Sequence, residues 1–390
     1  MRLVLGNLGK FFLFLVSWEF KVDEVFIVCA RFFKFGVVWE VMKCIVGIES
    51  TAHTFGVGIL SSKDDSGDPD LNGKILANVK DSYTTSEGGM IPMEVRAHHK
   101  KTSSGVWSRA LGDAGIGEED IEVVAFSNAP GLAPCLLEGM DFAKRLAKRL
   151  DVPLVGVNHC VAHLVIGETV GAKDPVMLYA SGANTQVVAF EGGRYRIFGE
   201  TLDLGVGNFI DSIGRTMGLG FPAGPKIEEL ASEYDGELLE LPYSVKGMDV
   251  SFSGIQTKIR NLILTRNSVP SKLGTKVPSS SGKLAFALQE NVFAMLVEVA
   301  ERALAHTGKS ELLLGGGVAC NTRLVEMCRI MCEERGCKLF VPEKSLLVDN
   351  GAMIGYLGLK IWKTGLGTLD YGSVDIAPRE RTDEVEVLWE

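Results

Sequence analysis

Two histidines stand four residues apart in the segment HCVAH, residues 159–163. On an α-helix this spacing places both imidazoles on one face, with Cβ atoms about 5–6 Å apart. Imidazole is a common ligand of zinc and iron, so His159 and His163 could hold one metal ion. A pair of structural histidines is the alternative, and the spacing alone leaves it open. Metalloproteases of the H-E-x-x-H class use a glutamate where Cys160 stands, so this pattern lacks their general base.

A third ligand is available from Asp349, at the predicted start of a helix, although a plain N-cap is the alternative. Three glycine-rich turns accompany these residues: SGAN (181–184), GFPAGP (220–225) and GGGVACN (315–321). The last two open predicted helices, whose first N–H groups favour anions. Asp211 and Glu228 lie on predicted helices beside the turns and could bind a ribose or an amine. The set predicts a metal beside a nucleotide.

The elements that must position these residues follow an α/β pattern. A strand–strand–strand–helix unit begins near Ile45 and recurs near Val176, which predicts a duplicated fold with a cleft between two lobes. The predicted lobes are residues 42–172 with 349–390, and residues 173–348. Residues 1–41 carry apolar runs too short to span a bilayer, and we interpret them as a non-native or extra extension. A real amphipathic extension is the alternative.

The bulk composition is that of a globular protein. The chain has 390 residues, 46% of them apolar, and a net charge of -9, which argues against a protein that coats nucleic acid through its overall charge. The stretch HHKK (98–101) reads as a basic surface patch, and residues 144–149 form a second. The eight cysteines contain no C-x-x-C pair, which argues against a zinc ribbon, and their scattered positions in apolar or helical runs favour reduced, buried cysteine in a cytoplasmic protein.

The motifs resemble, in order from Met42 to the end, the universal tRNA threonylcarbamoyladenosine synthase family. Within it they are most similar to the archaeal and eukaryotic catalytic subunit of the KEOPS complex. The matching segments include GIESTAHTFGVGI (47–59), VGVNHCVAH (155–163), YASGANTQVVAF (179–190), GLGFPAGPKIEELA (218–231), GGGVACN (315–321), VDNGAMI (348–354) and RTDEVEV (381–387). The resemblance implies an actin/Hsp70-like (ASKHA) fold, with duplicated RNase H-like lobes and a central cleft.

The implied reaction transfers threonylcarbamoyl from threonylcarbamoyl-AMP to N6 of the adenosine that follows the anticodon (position 37). The acceptor tRNAs read ANN codons, and the product is t6A. The resemblance also implies one divalent metal, with Fe²⁺ expected and Zn²⁺ the alternative, and ATP or acyl-adenylate binding. The implied metal ligands are His159, His163, Tyr179 and Asp349. The implied substrate and nucleotide contacts are Tyr179, Ala180, Ser181, Gly182, Ala183, Asp211, Gly224, Glu228 and Asn321.

The implied partners are tRNA and the other KEOPS subunits, namely a small atypical kinase/ATPase and small accessory subunits, with no membrane. Three residues depart from the family pattern: Gln256 stands where an apolar residue is usual, and Ala183 and Ala223 stand where glycine is usual. We expect the methyl groups of the two alanines to alter ligand affinity. No residue is identified as the general base. A small-molecule kinase of the same superfamily, a metallopeptidase and a non-catalytic ATP-binding scaffold remain alternatives.

Overall fold

A computed structural model describes residues 43–62, 73–85, 89–265 and 281–389. The predicted N-terminal extension, residues 1–41, lies outside these ranges. None of the helices within them combines the length and apolar character needed to cross a bilayer.

The first five strands form one mixed sheet. Strands β1 to β3 make an antiparallel meander, β4 runs parallel to β1, and β5 runs parallel to β4, giving the order β3-β2-β1-β4-β5. Helix α1 precedes β4, α2 precedes β5, and α3 follows β5 without a break. The elements are β1 (Cys44–Glu49), β2 (Thr54–Ser61), β3 (Ile75–Ser82), α1 (Pro92–Ala114), β4 (Ile121–Ala129), α2 (Ala133–Leu150), β5 (Leu154–Asn158) and α3 (His159–Val165).

The second sheet repeats this topology. Its strands β6 to β8 are antiparallel neighbours, β11 runs parallel to β6 and β12 to β11, so the order is β12-β11-β6-β7-β8. The predicted duplicated, actin/Hsp70-like α/β fold is therefore confirmed. The elements are β6 (Val176–Ala180), β7 (Thr185–Glu191), β8 (Arg194–Glu200), α4 (Val206–Thr216), α5 (Gly224–Ser232), β9 (Val245–Lys246), β10 (Asp249–Val250), α6 (Ser253–Thr265), α7 (Ser281–Thr307), β11 (Glu311–Gly315), α8 (Thr322–Arg335), β12 (Lys338–Phe340), α9 (Lys344–Leu347) and α10 (Gly351–Lys363).

Every residue of β1 and β2 is buried, because apolar layers cover both faces of the first sheet. One layer includes residues of α1 and α2, such as Val106 and Met140. The other includes residues of α10, such as Met353 and Ile354, together with apolar residues of α3 and β6. The end of β1 and the start of α3 therefore lie between the two sheets, where few water molecules reach.

Helix α10 lies against β1 and β2 at backbone-to-backbone distance, because glycine lines both surfaces. A Cβ added at Gly47 would lie 2.1 Å from the Gly355 nitrogen, and one at Gly58 would lie 2.2 Å from the Ala352 nitrogen. Only glycine fits at such distances. This contact fixes the start of α10 relative to β1, and with it Asp349, two residues before the helix.

The C-terminal segment, residues 377–384, contacts both sheets. The Ala377 N–H donates to the Asn128 carbonyl at 2.8 Å, at the end of β4. The Thr382 hydroxyl lies 3.2 Å from the Gln186 side-chain oxygen on β7, and Thr382 is buried. The segment thus joins the two halves of the fold, and the lobe boundaries given above stay a prediction.

Replacing Gly58 by alanine should destabilise the protein by about 1–3 kcal/mol, because the new methyl group overlaps the α10 backbone. The melting temperature should fall by several degrees in a thermal denaturation experiment. Gly105→Ala is the matched control, since Gly105 is exposed on α1 with open space around it. Alanine there should be neutral or stabilise by up to about 1 kcal/mol. Equal melting temperatures for the two variants would contradict the close-packing argument.

Candidate metal centre

Helix α3 presents both predicted histidines in a buried setting. The Asn158 side chain caps the helix by accepting hydrogen bonds from its second and third N–H groups, at 3.0 and 3.2 Å. The Asn158 amide in turn donates to Glu380 of the C-terminal segment at 2.8 Å. The His159 and His163 rings lie edge to face, 4.7 Å between centroids. The helix thus places the two imidazoles side by side, as their spacing predicts.

Asp349 completes a group of three ligand-type side chains. Its Oδ1 lies 3.5 Å from His159 Nε2 and 3.6 Å from His163 Nε2. Two ligands at about 2.1 Å from one tetrahedral ion lie about 3.4 Å apart, so these distances suit a shared metal. Both ring nitrogens of His163 are buried and have no hydrogen-bond partner among the described residues, which is costly unless a ligand satisfies one of them. The three residues therefore fit a metal ion.

Glu49, at the end of β1, orients the first histidine. Its Oε2 accepts from His159 Nδ1 at 2.9 Å, and its Oε1 accepts from the Thr51 N–H at 2.7 Å and hydroxyl at 2.5 Å. Glu49 is fully buried. With its proton on Nδ1, a neutral His159 keeps Nε2 free to bind a metal. Our sequence reasoning gave Glu49 no role; a carboxylate ending a buried strand was the available signal.

The electrostatics of the centre favour a cation. Burial lowers the pKa of His159, but the Glu49 and Asp349 carboxylates outweigh this and hold it well above its usual value. Burial also lowers the pKa of His163, and there it prevails. For Asp349, burial acts to raise the pKa, yet the two histidines hold it well below its usual value. The carboxyl groups of Glu49 and Asp349 thus lie beside the imidazole nitrogens, a set of groups that suits a divalent ion.

Tyr179, the fourth predicted ligand, lies beside His163. Its ring centroid is 5.0 Å from that of His163, and the residue is buried near the end of β6. Burial, followed by the charges of Cys160 and Asp349, holds the pKa of Tyr179 well above its usual value. Ligation through this oxygen would need loss of the phenolic proton, which a bound divalent cation favours.

The predicted nucleotide turn at residues 181–184 adjoins this centre and packs against α4. The Ser181 hydroxyl donates to the Asn184 carbonyl at 3.0 Å, and the Asn208 N–H donates to the Gly182 carbonyl at 2.9 Å. Gly182 and Ala183 are exposed. The backbone of these two residues is therefore held in place and open to a ligand.

Three other predicted contacts hold the starts of helices. Asp211 accepts from the Ala223 N–H at 2.7 Å, and Glu228 accepts from the Thr322 N–H at 2.8 Å. Asn321 accepts from the N–H two residues later at 2.9 Å. The GGGVACN turn leads into a helix as predicted, but the first N–H groups of that helix donate to side chains of the chain itself. A 3-10 turn intervenes, and α8 begins at Thr322.

The two alanines that replace family glycines differ in surroundings. Ala223 is fully buried, just before Gly224 begins α5, and a Cβ added at Gly214 of α4 would lie 2.1 Å from the Ala223 Cβ. The methyl group thus packs against α4, and this packing gives no reason for an effect on ligand affinity. Ala183 is exposed in the nucleotide turn, so the expectation rests on Ala183 alone.

The stretch HHKK is a surface patch only in part. His98 Nε2 lies 2.9 Å from an Asp81 oxygen, whereas His99 is fully buried and its Nε2 lies 2.8 Å from the Ala52 carbonyl. Burial lowers the pKa of His99 to about 4, so this ring is neutral at pH 7 and the surface interpretation is wrong for it. His99 instead supports the turn that follows Glu49.

Comparison with known proteins gives the centre a context. The model of the family described as TsaD, tRNA N6-adenosine threonylcarbamoyltransferase, matches residues 74–356. A Thermococcus kodakarensis protein named tRNA N6-adenosine threonylcarbamoyltransferase is 48% identical over 346 residues, covering 88% of this chain and 99% of that protein. A Methanosarcina mazei protein named as a probable bifunctional tRNA threonylcarbamoyladenosine biosynthesis protein is 45% identical over 349 residues, 88% of this chain and 59% of that one.

Among solved structures, full-length HypF in a phosphate- and nucleotide-bound form aligns with a TM-score of 0.52 at 12% identity, over 82% of this chain and 56% of that chain. That likeness concerns the fold alone. The duplicated sheets and the buried site between them define an α/β protein of the actin/Hsp70 class. Within that class, the chain belongs to the tRNA N6-adenosine threonylcarbamoyltransferase family.

Replacing Glu49 by glutamine should weaken metal binding by about 10–100-fold, because the amide no longer offers His159 a charged acceptor. Zn²⁺ and Fe²⁺ affinities measured by competition with a chelator of known affinity would show the loss. Glu119→Gln is the control, since Glu119 is exposed, and its affinity should equal the wild-type value. Wild-type affinity in Glu49→Gln would refute the orienting role.

The neutral, buried His99 should make stability depend on pH. An unfolded histidine titrates near pH 6.5 and folded His99 near pH 4, so the unfolded chain binds more protons between these values. The contribution of His99 to the free energy of unfolding should be fully present above pH 6.5. It should be lost progressively towards pH 4, by up to about 3 kcal/mol. Urea unfolding at pH 7.5, 6 and 5 should show a shallower loss for His99→Asn than for the wild type. The exposed His306→Asn is the control, and parallel curves for all three would contradict this assignment.

Proposed function

We propose that this chain transfers threonylcarbamoyl from threonylcarbamoyl-AMP to N6 of adenosine 37 in tRNAs that read ANN codons, forming t6A, and that it needs a divalent metal. The observation that carries the proposal is the convergence of His159, His163 and Asp349 in a member of this transferase family. Fe²⁺ is the expected ion, and a mixed set of imidazole, carboxylate and phenol ligands also suits Zn²⁺.

The geometry supports a distinct role for each residue of the site. A metal held by His159, His163, Asp349 and Tyr179 would supply Lewis acidity to the carbonyl or carboxylate of the threonylcarbamoyl group. Glu49 holds the His159 ring, and the exposed backbone of Gly182 and Ala183 is available to the adenylate. AMP is a good leaving group, so positioning contributes much of the rate. The N6 nitrogen attacks the carbonyl carbon, the bond to the phosphate oxygen breaks, AMP departs with the electron pair, and the N6 amine releases one proton to solvent.

The alternatives find less support. In a metallopeptidase a free carboxylate should act as general base, yet Cys160 stands at that position. The buried Glu49 has both oxygens occupied, by Thr51 and by His159. A small-molecule kinase of the same fold has no need for two histidines converging on an aspartate. A non-catalytic ATP-binding scaffold likewise has no need for His159, His163 and Asp349 to converge.

We further propose that the chain works in a KEOPS-type assembly, with a small atypical kinase/ATPase and accessory subunits, and acts on tRNA. The M. mazei relative, described as bifunctional, has a substantial part beyond the 59% that aligns with this chain, consistent with a second, cooperating activity. With a net charge of -9, this chain offers tRNA only local basic surfaces, and partners should add to them. The exposed candidates are Lys100, Lys101, Arg145 and Lys148.

The proposed place of action is the cytoplasm. The seven cysteines among the described residues are all free, as expected of a protein in a reducing compartment.

The test is reconstitution of t6A synthesis from the chain, its partner subunits, threonylcarbamoyl-AMP, ATP and an ANN-decoding tRNA transcript, with nucleoside mass spectrometry as the readout. We expect t6A from the wild-type chain, loss on chelation and recovery with Fe²⁺ or Zn²⁺. A variant carrying His159→Ala and His163→Ala should lose bound metal and at least about 100-fold of the rate. The exposed His306→Ala should behave as wild type.

Two outcomes would count against the proposal separately. If the double variant keeps its metal and its full rate, the site assignment is wrong. If the wild-type complex makes no t6A although its metal is bound, the function is wrong.

A further inference from the structure

Lys80 stands on the face of β3 that carries the metal centre. In the sheet Lys80 pairs with Gly56 of β2, and Gly56 pairs with Glu49 of β1. Directly paired residues project to the same face of a sheet. On that face Glu49 reaches His159, and a Cβ at Gly56 would lie 3.0 Å from the Gly351 nitrogen at the start of α10. The Lys80 side chain therefore extends over the surface that holds Asp349.

The Lys80 ammonium lacks a partner among the residues that the structure describes. It is half-buried, and no hydrogen bond or ion pair joins it to any residue in the described ranges. Burial lowers the pKa of Lys80, whereas the nearby Asp349 carboxylate and Cys320 thiol act in the opposite direction. A half-buried ammonium that makes no hydrogen bond to a described residue is available to an anionic ligand.

A second polar side chain on the same face of β3 also has an atom without a hydrogen-bond partner among the described residues. Asn78, two residues earlier, donates to the Ser345 carbonyl of α9 at 3.4 Å, which ties β3 to the segment preceding Asp349. Its side-chain oxygen is buried and has no hydrogen-bond partner among the residues that the structure describes. Lys80 and Asn78 thus both carry polar groups that make no hydrogen bond within the described ranges.

Near the turn at residues 315–321, the positive charge available to an anion comes from lysine side chains and not from the N-terminus of a helix. Cys320, in the GGGVACN turn, interacts electrostatically with Lys344 of α9 as well as with Lys80. The first N–H groups of α8, which begins just after this turn, are already occupied by Asn321 and Glu228. An anion between the turn and Asp349 would therefore meet side-chain ammonium groups.

We propose that Lys80 binds an anionic group of the acyl-adenylate, between the metal centre and the turn at residues 315–321. This inference rests on the proposed function, because that substrate class carries two anions, the phosphate of the adenylate and the carboxylate of the threonyl group. Lys80 is a binding residue: it holds the substrate's charge while the carbonyl carbon lies at the metal, and it transfers no proton.

The test compares the metal-loaded wild-type protein with Lys80→Met, which removes the charge, and Lys80→Arg, which keeps it. Two pairs of probes separate the anions: AMP against adenosine, and N-carbamoyl-L-threonine against its amide. In calorimetric titrations, Lys80→Met should weaken AMP or N-carbamoyl-L-threonine by about 10–100-fold, as expected for loss of a charged hydrogen bond. Its uncharged counterpart should bind as before, and the affected pair identifies the anion.

Two control variants distinguish the loss of the Lys80 charge from a general effect of substitution. Lys80→Arg should recover most of the affinity, and Lys74→Met, an exposed lysine just before β3, should match wild type. The KM for threonylcarbamoyl-AMP should rise in parallel with the loss of probe binding. Wild-type affinities and KM in Lys80→Met would overturn the proposal, and so would equal losses for charged and uncharged probes. Failure of the proposed function would appear separately, as absence of t6A from the wild-type complex.

Discussion

The contact between the backbone of α10 and the backbones of β1 and β2 determines where the metal centre lies. The histidines follow β5 in the first sheet, whereas Asp349 arrives some 190 residues later in the chain. With glycine at Gly47 and Gly58, no side chain separates the helix from the strands, so the helix position cannot adjust to larger neighbours. The distances of 3.5 and 3.6 Å from Asp349 to the two imidazoles depend on that single packing surface.

The sequence predicted the architecture and most of the centre because both rest on local signals. Strand and helix periodicity repeats twice, and the H-x-x-x-H spacing has meaning on any helix. The role of Glu49 was missed because it depends on sheet order: only the pairing of β1 with β4, and of β4 with β5, brings the end of β1 beside His159. His99 was misplaced because its neighbours Lys100 and Lys101 are charged, although Val95 and Ser103 continue its buried helical face.

The side chains that the family resemblance assigns to nucleotide binding also maintain the turns themselves. Asp211 caps α5, Glu228 holds the start of α8, and Asn321 caps the same helix from within the chain. Removing one of them would disturb the local backbone, so activity loss in such a variant would not by itself demonstrate a ligand contact. Glu49 combines roles in the same way, because one carboxylate orients an imidazole and closes the turn at Thr51.

The position of the last ligand along the chain has a consequence for biosynthesis. A ribosome delivers Glu49, His159 and His163 well before Asp349, and the segment 377–384 that joins the two sheets follows still later. A nascent chain can therefore pair Glu49 with His159, but its ligand set stays incomplete until the second sheet has been made. The three ligand-type side chains therefore come together only after Asp349 has been made, so an unfinished chain could offer a metal ion no more than part of the set.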